Sequence, residues 1–493
     1  MSTNPLSEER QVVPRWRSFH RSSSHGHDLR SLRTPIDRPR PNLSSLRAEA
    51  EKSGNEWVLA DFLSALVSAG SYGDELAEVA VRLRDAAHDQ VLLDWAQDLS
   101  DPTGSAAAPV QLNDGKQRAL SGVPRLRRRL IERPRDVVAR VDLALAHIVL
   151  GNLGQARRQM FGALQLGRGN RFVVRGAATL FVTLDEPDLG YWALTSTDLH
   201  HRDPWVMASA LALADLSDQK TDVRSARELL TLGQFGPADT SELTSELGTL
   251  EGLSGKRSRA QQLFLESLRA PNDNTLAQAT WATDELDLDL DLGSVPVDNA
   301  HEAQLRALVK DGAWSEAHHA GELWQADQSF SQEAALATSF VAAVGLEDYE
   351  AALSAAEVGM RANPNDGGLR NNAAFAAAHL GRLDEAEAHL AFAGTTSDED
   401  QAHTVEATRG LIAFRRGDLL AGRRLYQEAV EGFREARTPY QVVMALLHWA
   451  LEEARVSPGS SQSLAAAARQ WVERYPTAEG RLLLERLESR LSR

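Results

Sequence analysis

RANPNDGGLRNNAAFAAAHLGRLDEAEAHLAFAG, residues Arg361 to Gly394, carries two helices and the turn between them. Pro364 and Asn365 close the preceding helix, since proline cannot continue one. A helix of small residues runs from Asn371 to His379, Leu380-Gly381-Arg382 makes the turn, and a second helix places Ala386, Leu390 and Ala393 on one face. Small side chains at fixed places allow two antiparallel helices to approach closely.

Working outward from Ala386, a small residue opens a second helix at Ala156, Gly190, Ala226, Ala260, Ala317, Ala352, Ala386 and Gly422. The successive spacings are 34, 36, 34, 57, 35, 34 and 36 residues. Companion positions agree in places. Leu247-Gly248 and Gly410 supply the first-helix glycine, Phe264 and Tyr426 the aromatic four residues after the second-helix anchor, and Ala163, Ala393 and Ala429 a further small residue. Pro271 and Pro364 stop their second helices. The units anchored at Gly190 and Ala226 follow the pattern least well.

This pattern resembles the tetratricopeptide repeat, a helix–turn–helix unit of about 34 residues, over roughly 136–437. The resemblance implies an all-α fold: a right-handed superhelical solenoid of antiparallel helix pairs (TPR-like), to which the flanking sequence adds helical caps and, by its composition, a disordered basic N-terminal tail. It also implies a concave groove lined by first helices. The groove places carry over to Phe172, Arg175 and Thr179, to Asn371, Asn372, Phe375 and His379, and to Leu411, Phe414 and Arg415. Such a groove suits an extended or helical peptide anchored by one or two apolar residues. Capture of a peptide carboxylate would need a lysine beside Asn371 and Asn372, and none stands there.

The 493 residues suit a solenoid, in which each unit buries its face on its neighbours. Net charge is −16, unevenly spread: residues 1–48 hold nine arginines against four acids, leaving −21 on the remainder. An acidic body argues against broad nucleic-acid binding. With no cysteine, thiol chemistry, disulfides and cysteine-ligated zinc are excluded. The absence of an apolar leader or spanning run predicts a cytoplasmic protein with no membrane segment.

Residues 1–48 read as a disordered basic tail and 49–100 as an N-terminal helical cap. Residues 101–135 read as a linker and a basic helix between Pro124 and Pro134, whose Arg125, Arg127, Arg128 and Arg129 form a possible basic contact. Repeats occupy 136–283 and 301–437, separated by an acidic insertion at 284–300. There, strict Leu/Asp alternation suits an extended segment, and Asp287, Asp289 and Asp291 imitate a calcium loop that fails at its glycine and at its twelfth position. Residues 438–493 read as capping helices whose growing Arg/Glu content suits a solvated end.

Chemistry is sparse. Phosphate-binding and dinucleotide glycine loops, zinc-protease and serine-hydrolase motifs are all missing. Ser217-Asp218-Gln219-Lys220 has no companions, and the pairs His200-His201 and His318-His319 point to different helix faces. Arg140/His147 and Arg382/His389 share the spacing of the HEPN ribonuclease motif, but both pairs sit inside repeat units. No catalytic residue, cofactor or metal is expected. The sequence predicts a non-catalytic scaffold or adaptor binding a protein or peptide, and an accessory subunit of a multi-protein system. The alternatives are a ligand- or peptide-responsive regulator and a nucleic-acid-binding, HEPN-like ribonuclease.

Overall fold

The computed structural model describes residues 15–16, 43–52, 54–68, 73–88, 90–100, 115–292, 295, 297, 299–393, 399–457, 459 and 461–492. Among them the regular elements are all helices. The chain starts with α1 (Leu43–Lys52), α2 (Glu56–Ser68), α3 (Asp74–Ala86), α4 (Gln90–Ser100) and α5 (Gly115–Glu132). Antiparallel pairs follow: α6 (Val137–Val149) with α7 (Leu153–Gly167), and α8 (Arg171–Thr183) with α9 (Pro187–Thr195). After the short α10 (Leu199–Arg202) come α11 (Pro204–Leu216) with α12 (Val223–Thr231), and α13 (Pro237–Leu253) with α14 (Arg257–Ser267). A lone α15 (Asp273–Glu285) precedes α16 (His301–Lys310) with α17 (Trp314–Asp327). Next are α18 (Gln332–Phe340) with α19 (Tyr349–Ala362), α20 (Gly367–His379) with α21 (Leu383–Ala393), and α22 (Glu399–Arg416) with α23 (Leu419–Glu435). The described chain ends in α24 (Pro439–Val456), α25 (Gln462–Arg474) and α26 (Ala478–Leu491).

The protein is therefore an all-α helical repeat of the tetratricopeptide-like kind. Each small anchor is the fourth residue of its second helix, and all eight are buried. At Gly190, where the pattern departs from alanine, an added Cβ would stand 2.8 Å from Leu213 and 3.1 Å from the Ala178 carbonyl. The departure is a closer helix approach. Each first helix ends in one left-handed residue: Gly151, Gly255, Gly312, Gly381 and Gly417 in five units, and Asp185, Asp218 and Glu347 in the others. Asp or Asn caps the start of many helices, as Asp136 does for α6, Asn170 for α8 and Asp366 for α20. Such caps are each worth about 1 kcal/mol.

First helices of successive pairs touch one another, as α11 touches α13 and α20 touches α22. Second helices pack within their own unit and against the following first helix. The array thus curves with first helices inside and second helices outside. It curves far enough to meet itself. Helix α19 packs on α6, and α17 packs on α5, where Arg118 donates to the Ala326 carbonyl.

Two expectations are corrected. Residues 43–48, assigned to the tail, begin α1, because Leu46 and Ala50 bury against the next helices; the rest of the tail except Arg15 and Trp16 lies outside the described residues. The basic helix does not start at Pro124 but runs through it from Gly115, since Leu120 and Val123 pack against neighbouring helices on both sides. That packing offsets the cost of an internal proline, about 3 kcal/mol. The long interval holds a first helix, α15, with no second helix. In its place Leu288 and Leu290 bury against Phe264 and Trp281, while Asp287, Asp289 and Asp291 face outward.

Gly151 and Gly381 share a left-handed backbone, at φ +76° and +78°. A Cβ at Gly151 would lie 2.6 Å from the Arg361 carbonyl across the closure, whereas Gly381 has nothing within 4 Å. Gly381→Ala should cost about 1–2 kcal/mol from backbone strain alone. Gly151→Ala should cost clearly more and speed amide exchange in α5 and α6. Equal melting and exchange for the two variants would mean that the closure does not persist in solution.

Candidate functional site

The inner surface holds two built places. The first lies where the array meets itself. Trp16 is 2% exposed; its ring centroid lies 5.5 Å from that of Phe330. Gly176 on α8 makes room for it, since a Cβ there would stand 3.2 Å from the indole nitrogen. Arg15 pairs with Glu302 on α16, approaches Asp273 on α15 at 3.6 Å, and sits 5.6 Å from the Trp324 ring centre on α17. Glu302 also accepts from Arg306 at 3.3 Å. Two consecutive residues thus bridge the early first helices and α15–α17.

Beside this seat runs a ladder of buried polar groups between first helices. Arg175 donates to Glu242 at 2.8 Å and stacks 5.0 Å from the Trp205 ring centre. Asn272 donates to the other Glu242 oxygen at 2.7 Å. Gln278 donates to Glu246 at 2.9 Å and Thr249 at 2.7 Å, while Ser245 donates to Gln278. Thr179 donates to the Arg175 carbonyl, and Phe172 joins the apolar cluster around Trp16.

The second place is a cavity of about 20 Å³, room for a single water-sized group. Phe375, His379, Leu411, Tyr349, Tyr426, His448 and Glu452 line one side, and Leu483, Arg486 and Arg490 of α26 close the other. Arg486 donates to the carbonyls of Val344 (2.6 Å) and Gly345 (2.7 Å), which end a π-helical turn, Val341–Gly345. Carbonyls at the end of a helix lack partners within it, so α26 is held by backbone acceptors. His379 stacks on Tyr349 at 4.2 Å and meets Arg415, whose other contact is Glu452 at 2.7 Å. Burial lowers the His448 pKa to about 3 and, with the Arg415 charge, holds His379 well below its usual range. Burial likewise raises Tyr349 to about 12. All four of these aromatic and imidazole groups, Tyr426 included, are neutral at physiological pH.

Of the ten groove residues expected from sequence, seven are distributed between the two places, and all ten are buried or half-buried. Phe375, His379, Leu411 and Arg415 come together around the cavity under α26. Phe172, Arg175 and Thr179 lie beside the Trp16 seat. Asn371 accepts from Thr408 and Asn372 donates to Ser339, so both tie neighbouring first helices together. Phe414 turns toward Gly422 and Tyr426 in its own unit's core. The physical reason is cover. The last helix, expected to face solvent, buries Leu483 and Leu487 against the inner surface.

The basic run is largely neutralised. Arg128 pairs with Asp61 at 3.0 Å, Glu49 at 3.1 Å and Glu132 at 4.0 Å, and Arg129 pairs with Asp136 at 2.6 Å. Arg125 is exposed and Arg127 half-buried. The two Arg/His pairs do not form reactive couples. Arg140 donates to Gln159 and the Pro134 carbonyl, His147 is buried, Arg382 pairs with Glu350, and His389 is half-buried. Among the described residues no group of three or more side chains is placed to hold a metal, and no helix is long and apolar enough to cross a membrane.

No protein-family model matches the chain, and no curated protein matches it. Among solved structures it is similar to yeast Tom70, at 13% identity over 88% of this chain and 95% of that one, with a TM-score of 0.28. So loose an overlap bears no weight, and the fold rests on the helix pairs themselves.

Sequence reasoning missed Trp16, Arg15, Trp324 and Phe330 at the first place and α26 at the second. A tryptophan inside an Arg/Ser/Pro-rich tail was the available signal for the first. The second had none, since Arg486 and Arg490 look like solvent-facing charges.

Asp61 gives a pH test of the cap. Burial raises its pKa from 3.8 to about 6 despite the Arg128 partner. A raised carboxyl favours the folded state while protonated, so its contribution is fully present below pH 3.8 and is lost as pH rises through 6. The packing of α1 and α2 on α5 should therefore tighten between pH 7.5 and 5, by about 1–1.5 kcal/mol, roughly half of an effect that is complete below pH 3.8. Amide exchange in α2 should slow accordingly after correction for the intrinsic rate, and Asp61→Asn should flatten the profile. An unchanged profile in Asp61→Asn would remove the assignment.

Proposed function

We propose that the protein is a non-catalytic interaction scaffold or adaptor that docks a protein partner by receiving an extended peptide on its inner surface. The reading is carried by the Arg15–Trp16 seat. It accepts two successive residues of irregular chain by one buried ion pair, one cation–π contact and one aromatic pocket. Buried aromatic and arginine anchors are the usual energetic centres of protein interfaces. The paired state of Arg128 and Arg129 weighs against a nucleic-acid partner. In this reading the protein is an accessory subunit of a larger assembly, working in the cytoplasm, and needs no cofactor.

Cross-linking mass spectrometry on the tagged full chain, captured from host extract at moderate salt, is the test. The expected outcome is a protein partner with cross-links to α13, α15 and α16. Recovery of nucleic acid alone, lost as salt is raised, or cross-links confined to the outer second helices would sink the proposal.

A further inference from the structure

We propose that the seat at the array's closure reads an arginine followed by an aromatic residue, that Arg15–Trp16 occupies it in cis, and that a partner bearing the same pair competes for it. This rests on the scaffold reading and names the partner's chemistry. The seat discriminates on two counts. Glu302 and Asp273 lie on one side, both buried, so they favour a cation that can reach two carboxylates; arginine's planar fork does this better than a lysine. On the other side Phe330, Val141 and the gap left by Gly176 admit a flat ring. The Trp324 face stacks the guanidinium. The two subsites are filled by adjacent residues, which demands extended backbone between them.

The resident segment belongs to the same chain as its receptor, so it competes as an intramolecular ligand at an effective concentration that a free peptide must overcome. A partner must therefore either outbid that concentration or bind where the tail has been withdrawn. When Arg15 leaves, Glu302 keeps Arg306 but the seat loses one positive charge, which favours exchange for another arginine over an empty seat. Occupancy in cis thus acts as a filter, admitting ligands that supply both groups.

The probe is a fluorescent synthetic peptide with the sequence of residues 12–20, VVPRWRSFH. Titrated by anisotropy, it should bind full-length Arg15→Ala/Trp16→Ala at least tenfold more tightly than the wild-type chain. The same peptide with alanine for both residues should bind neither. Adding Asp273→Asn and Glu302→Gln to the double variant should weaken binding at least tenfold. A second measurement uses the absence of native cysteine: Ser18→Cys carries a single fluorophore on an otherwise wild-type chain. Millimolar unlabelled peptide should lower that label's anisotropy, and the alanine peptide should not.

The proposal is overturned if a folded double variant ignores the peptide or takes up the alanine peptide equally well. Should the double variant not fold, a tail label unmoved by millimolar peptide overturns it instead. A protein partner captured equally by wild type and double variant would end this inference and leave the scaffold reading intact. Selective peptide uptake with no protein partner in the cross-linking experiment would do the reverse.

Discussion

Everything in this molecule depends on how closely two helices of a pair can approach at one small residue. Ala156, Ala226, Ala260 and their counterparts sit at the same step of each second helix and all are buried, and at Gly190 and Gly422 an added Cβ would stand 2.8 and 2.5 Å from its nearest neighbour. Overpacking such a site costs about 1–3 kcal/mol. That steric rule fixes the pair geometry. The pair geometry sets how the next first helix is laid down, and repetition turns the small rotation into curvature. The left-handed residue after each first helix belongs to the same constraint, because it brings the chain round within three residues in every pair but α11–α12, which takes six.

Curvature then changes what the inner surface is. In an open solenoid the first helices would present side chains to solvent. Here the surface is occupied twice by the chain itself, near the closure by Arg15 and Trp16 and further along by α26. Buried polar groups there are paired across helices, as Arg175 with Glu242 and Arg415 with Glu452 are. Unpaired, each would carry a desolvation cost of several kcal/mol. The inner ladder is thus as strongly specified as the apolar contacts outside it.

This contrast explains which parts were legible in sequence. The anchors are local: a small residue, its turn and its helix lie within about a dozen positions, so spacing alone locates them. The two irregular units became intelligible only in three dimensions, where Gly190 answers to Leu213 and Asp185 and Asp218 stand in for the turn glycine. The site was largely illegible because its parts come from far apart. Phe375, His379 and Arg415 meet around the small cavity, but nothing near them in the sequence announces Leu483 or Arg486. Leu/Asp alternation at 287–291 did indicate an extended edge, because one face of it is buried and the other is not.

The meeting of α5 and α6 with α17 and α19 has a kinetic side. Arg118 and Ala326 are 208 residues apart in the chain. An ordinary repeat array is close to one-dimensional: it can nucleate anywhere and grow by nearest-neighbour steps. A contact of such long sequence separation cannot form until nearly every intervening unit is in place, and its loop-closure entropy is lost only then. The curled array therefore combines fast, local growth of units with one late, non-local event. That last event converts a chain of semi-independent repeats into a single cooperative body.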